Sequence, residues 1–153
     1  MEFYVASRGG IDPADIEMFE RIALVVRELP DVIFDPRERG WDGCKNQFSC
    51  HLICRALAAH FDVSVRDGYF LKGYEHSWLV PTSGSGSIID AYPVAGAVPF
   101  IVSTQGFSPW PELYVQSYKL RHRFCEPEFL ARLDKTTQMV GETLRHLNSG
   151  RSC

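Results

Sequence analysis

From Trp41 to Pro93 a cysteine, a histidine and an aspartate follow one another, each at the edge of a predicted element, and no other stretch constrains this chain as much. It opens with Trp41-Asp42-Gly43-Cys44-Lys45-Asn46-Gln47 and runs into an apolar segment ending near Phe61. Phe48, His51, Cys54 and Arg55 mark one stripe of that segment, and Cys50, Ile53, Leu57 and Phe61 the adjacent one. With no Pro or Gly to interrupt it, the spacing predicts a buried central helix from about Cys44 to His60. Val63-Ser64-Val65, Tyr69-Phe70-Leu71, His76 to Val80 and Ser87 to Ala91 have the length and residue types of strands. Asp67-Gly68 and Lys72-Gly73 read as turns between them. Pro81 to Gly86 reads as a hairpin connection; as a phosphate loop it lacks the following Lys and the strand-loop-helix setting.

The flanks fill in an α+β fold. Asp12-Pro13 is an N-cap followed by Pro at the first helical position, and Ile16, Phe19, Ile22, Ala23, Val26 and Leu29 then recur at helical spacing until Pro30. Residues 31–40 read as a loop. Tyr92 to Pro111 is rich in Pro, Gly and aromatics around one apolar run, Val98 to Val102, and is expected to be a long loop able to wall a groove. Leu113 to Phe124 alternates as one or two final strands. A last helix is expected from Pro127 to about Leu147. The whole, residues 1–153, is expected to be one domain: a central helix on a small antiparallel β-sheet, flanked by N- and C-terminal helices.

Composition narrows the function classes. With 45% hydrophobic and 23% charged residues the chain has an ordinary globular balance. A net charge of −3 gives no basic footprint, so nucleic acid is not an expected partner. No apolar run approaches the roughly 20 residues needed to cross a bilayer, so no membrane partner is expected. The N-terminus lacks a basic segment followed by an apolar one, so no signal peptide is expected and the cytoplasm is the expected compartment. Five cysteines in no paired spacing argue against a disulfide framework. The oligomeric state is left open.

Cys44 follows Gly43 at the predicted helix start, where the macrodipole favours a thiolate and unpaired backbone N–H groups face a developing oxyanion. It is the expected nucleophile. A single cysteine is otherwise a small buried hydrophobe, which is the reading for Cys50 and Cys54 inside the predicted helix. Cys50 is the reserve nucleophile should the helix begin later. His76 heads a β-type run beside Trp78, and the hairpin closed at Pro81 to Gly86 sets it near residue 90 or 91 across the ladder. Asp90 would then hold the imidazole in one tautomer. A metal use of Cys44, Cys50, His51 and Cys54 is disfavoured, because their spacing contains no Cys-x-x-Cys pair. His51, His60, His122 and His146 are expected to be surface or capping residues.

Taken together, Gly43-Cys44, the helix carrying Cys54-Arg55-Ala56-Leu57, then Gly68-Tyr69, His76-Ser77-Trp78 and Ile89-Asp90 resemble the core of the transglutaminase-like cysteine enzymes, of the papain-like class. The resemblance covers residues 41–93. It departs from the family in Ala59-His60-Phe61-Asp62-Val63 after the helix and in Ala91-Tyr92-Pro93 after the aspartate. It implies Cys44 as nucleophile, His76 as general base and Asp90 as orienter, with Trp41, Gln47 and Trp78 as substrate or oxyanion residues. It implies no cofactor and no metal. The expected chemistry is acyl transfer on a peptide or protein amide, most simply hydrolysis. Transfer to an amine acceptor, or peptide binding without catalysis on the same scaffold, are the alternatives.

Overall fold

The computed structural model describes residues 4–6, 10–29, 49–92, 98–105 and 110–150. Helix α1 runs Pro13–Glu28. The Asp12 carboxylate accepts from the Ala14 N–H at 2.9 Å and caps it. It stops at Leu29, which is extended (φ −60°, ψ 133°), as a residue before proline prefers to be.

The central helix, α2, is Cys50–Ala58. Its start lies six residues beyond the predicted one. Ser49 is extended (φ −92°, ψ 153°), and its hydroxyl accepts from the Leu52 N–H at 3.3 Å. A serine side chain that bonds the first turn competes with continued helix behind it. The apolar periodicity runs back through Phe48 and hides that break. Residues 31–48, with the loop expected at 31–40, lie outside the described residues.

The sheet has six strands in the order β1-β5-β4-β3-β2-β6. They are β1 (Tyr4–Ala6), β2 (Val63–Phe70), β3 (Tyr74–Pro81), β4 (Ser87–Asp90), β5 (Phe100–Ser103) and β6 (Tyr114–Gln116). The antiparallel expectation holds for every pair except β1 and β5, which are parallel. β2 is unbroken, so Asp67-Gly68 is not a turn. Gly68 is there because β6 crosses close: a Cβ would sit 2.0 Å from the Val115 carbonyl oxygen. The β2–β3 reversal falls at residues 71–73, with Leu71 and Lys72 both at positive φ.

The expected long loop after Tyr92 contains strand β5, whose run Phe100-Ile101-Val102-Ser103 is three-quarters fully buried between β4 and β1. The expected final strands shrink to β6. A short helix α3 (Trp110–Leu113) precedes it and a 3-10 segment (Tyr118–Cys125) follows it. Helix α4 is Pro127–Ser149, close to expectation.

Alternation along the strands divides the apolar residues. Leu79, Ile89 and Ile101 face the helices and pack with Phe19, Ile22 and Val25 of α1, Ile53 and Leu57 of α2, and Val140 of α4. Burying each such side chain contributes on the order of 1.5–3 kcal/mol. Trp78, Ile88, Val102 and Tyr114 form a second cluster, joined by Phe70 and Phe100. No helix among the described residues is long and apolar enough to cross a membrane.

Candidate functional site

The β3–β4 ladder pairs Leu79 with Ile89. Continuing that register sets residue 78 opposite residue 90 and residue 76 opposite residue 92. His76 and Asp90 are therefore diagonal neighbours on one face, not the direct pair expected. The diagonal still joins them, with His76 Nε2 2.8 Å from Asp90 Oδ2. Both residues are buried, at 0% and 1% exposure. Tyr114, on β6, donates its hydroxyl to the same Asp90 Oδ2 at 2.7 Å.

Aromatic rings enclose the pair. Trp78 stacks beside the imidazole at 6.5 Å and meets Tyr114 edge-on at 5.1 Å. Phe70 closes the remaining side, 6.0 Å from His76 and 5.0 Å from Tyr114. Trp78 is only 3% exposed, so it covers the histidine and presents almost no surface to a substrate.

Burial by itself pulls the His76 pKa down, because a cation is poorly solvated there. The hydrogen bond to Asp90 and the nearby Cys50 thiol, with the charges of both, outweigh it and raise the pKa to about 10. Tyr114 moves upward through burial first and the Asp90 charge second. It stays protonated and remains a donor.

Cys50 is the first residue of α2. It is half-buried and carries a free thiol, and it lies near enough to His76 to act on the imidazole pKa. Nε2 is committed to Asp90, which leaves Nδ1 for the thiol. Nδ1 has no conventional hydrogen bond among the described residues, so the thiol–imidazole contact is a loose one. The Cys50 and His51 N–H groups belong to the first turn, where an α-helix supplies no acceptors. Among the described residues, the first helical amides to find partners are Leu52 and Ile53, both on Ser49.

Ser77, next to His76, docks the helix on the strand. Its carbonyl accepts from Cys54 Sγ at 3.3 Å, and its hydroxyl meets His51 Nδ1 at 2.6 Å. The same hydroxyl donates to Asp67 Oδ1 at 2.6 Å. Arg55 grips Asp67 through both nitrogens at 3.1 and 2.7 Å, and lies over the Phe124 ring at 3.7 Å. Burial pushes the Cys54 thiol well up and leaves it inert, as its core reading implied.

Several expectations change here. His51 is not a surface or capping residue: it is half-buried and bonded to Ser77, because its place on the first turn faces β3. His60 is exposed and meets the Thr137 carbonyl oxygen at 3.1 Å. Cys44, Trp41 and Gln47 lie outside the described residues. Tyr114 and the Arg55–Asp67–Ser77 chain were missed. For Tyr114 the sequence holds no local signal. For Asp67 the clue was an acid at alternate spacing with the core residues Val63 and Val65, facing an arginine on the central helix. Among the described residues no cluster of three or more His, Cys, Asp or Glu is placed to hold a metal. No protein-family description matches the chain, and neither a curated protein nor a solved structure matches it.

Proposed function

We propose that this chain is a cysteine-dependent acyl-transfer enzyme of papain/transglutaminase-like architecture, acting on peptide or protein amides, with Cys50 as nucleophile. One observation carries the reading. A buried His76 is bonded through Nε2 to Asp90, and the thiol of Cys50, the residue that opens the central helix, is near enough to act on its imidazole.

The chemistry follows from the roles. Cys50 transfers its proton to His76 Nδ1, and the thiolate attacks the amide carbonyl carbon. The carbonyl oxygen gains the charge, which N–H groups of the first turn, without acceptors among the described residues, would stabilise. The C–N bond breaks, His76 returns the proton to the leaving amine, and a thioester remains on Cys50. A water deprotonated by His76 hydrolyses it to acid and free thiol. Asp90 keeps Nε2 protonated, so that Nδ1 is the nitrogen that cycles. Hydrolysis is the favoured route, and an amine in place of that water would give transfer.

Alkylation rates against pH, read by intact mass, test the assignment. The wild type, Cys50→Ala, Cys44→Ala and His76→Ala are compared. Fast labelling below pH 8 should vanish in Cys50→Ala, persist in Cys44→Ala and slow in His76→Ala. Labelling that vanishes instead in Cys44→Ala moves the nucleophile to Cys44. A wild type that labels no faster than free cysteine sinks the enzymatic reading.

A further inference from the structure

We infer that His51 is a substrate-positioning residue, its Nε2 preset as a hydrogen-bond acceptor for a backbone N–H of a peptide bound at Cys50. The inference rests on the acyl-transfer reading of Cys50.

Donor bookkeeping assigns the tautomer. Arg55 has only donors to offer and holds both oxygens of Asp67. Asp67 Oδ1 also takes the single hydroxyl hydrogen of Ser77. Towards His51, Ser77 can then only accept. The 2.6 Å contact at Nδ1 therefore carries a ring N–H, and the lone pair stands on Nε2. Nε2 has no hydrogen-bond partner among the described residues, and His51 is half-buried, so its ring is not sealed in the core.

The ring is held in place. Phe124 lies 5.0 Å from it, and Arg55 lies on that same Phe124. Next to it in sequence is Cys50, and the imidazole of His76 is near enough for its charge to act on His51. Among the described residues, the charged groups about the ring are Asp67 and Glu75, which favour protonation, and Arg55 and His76, which oppose it. Burial is the largest influence and brings the pKa down to about 4. A group that protonates near pH 4 is a weak general base and no acid at neutrality. It is a standing acceptor. Esters and N-methylated amides have no hydrogen to give it, so the substrate class is the peptide with an N–H beside the scissile carbonyl.

Two measurements test this. The first compares a peptidyl vinyl sulfone bearing a backbone N–H with its N-methylated twin, as labels of Cys50. His51→Phe should lower kinact/KI for the N–H probe about three- to ten-fold, the worth of one neutral hydrogen bond. It should leave the N-methyl probe and the iodoacetamide rate unchanged, and His51→Gln should restore the N–H probe. Equal loss for both probes, or no loss, overturns the positioning role while leaving Cys50 as nucleophile. Labelling by neither probe, with Cys50 slow towards iodoacetamide, removes the acyl-transfer reading and this role together. The second is a long-range 1H–15N correlation at pH 7. It should show His51 as the Nδ1–H tautomer, and an Nε2–H His51 overturns the proposal whatever the probes do.

Discussion

Tyr114 and His76 bond the same oxygen of Asp90, from strands on opposite sides of β2. One carboxylate oxygen thus ties the last strand of the sheet to the hairpin that carries the histidine. The second oxygen, Oδ1, is buried with no hydrogen-bond partner among the described residues. Asp90 is held through Oδ2 alone, and changes at either partner reach the other through it.

Asp90→Asn tests the orienting role. The carboxylate is the foremost influence raising His76, so its loss lets burial pull the pKa down from about 10. The alkaline limb of kcat/KM, set by loss of the His76 proton, should move to lower pH. The maximum should fall on the order of 10²–10⁴-fold, the range for a disabled acid–base group. An unmoved alkaline limb would show that Asp90 does not act on His76.

Gly68→Ala should act at a distance. The new Cβ would meet the Val115 carbonyl oxygen at 2.0 Å, and backbone cannot yield as a flexible side chain does. Overpacking of this kind costs about 1–3 kcal/mol. Urea unfolding should show that loss, and the Tyr114 hydroxyl should leave Asp90 as β6 is pushed off β2. Unchanged stability would mean that the two strands have room to separate.

Ser49→Ala removes the hydroxyl that accepts from Leu52. Loss of such a cap costs about 0.5–2 kcal/mol. The first turn of α2 should fray, which hydrogen exchange at Leu52 and Ile53 would report, and Cys50 alkylation should slow. Faster exchange with an unchanged alkylation rate would separate the thiol from the helix start.

Two histidines give opposite pH signatures. His76 is raised, so the folded chain holds its proton where the unfolded chain has lost it. The stability it adds is full below pH 6.5 and disappears as pH rises through about 10. His51 is lowered to about 4, so the unfolded chain binds the extra proton between pH 6.5 and 4 and stability falls as pH drops through that window. Denaturant midpoints across pH 4–10 should show both slopes. His76→Gln should flatten the alkaline one and His51→Gln the acid one.

Periodicity and punctuation sufficed for the long elements. Asp12-Pro13 and Pro30 bracket α1, and Pro127 opens α4, because capping and the missing proline N–H act within a few residues. The order of His76 and Asp90 about one hairpin was equally legible, since a short connection forces antiparallel neighbours. What failed were features whose cause lies elsewhere in the chain. Gly68 reads as a turn residue until β6 is seen crossing it. Phe100 to Ser103 reads as loop until β1 and β4 flank it.

The sequence by itself determined the helices at either end, the hairpin and the residue types able to carry acid–base chemistry, because these depend on local backbone preferences and on spacing. Tertiary structure alone decided the rest. It brought Tyr114 onto Asp90, set Asp67 against Arg55 and Ser77, and turned His51 from a presumed surface residue into a half-buried one. It also set Cys50, the first residue after the Ser49 cap, against His76. Each of these is a contact between residues far apart in the chain, whose energy exists only once the sheet has closed around them.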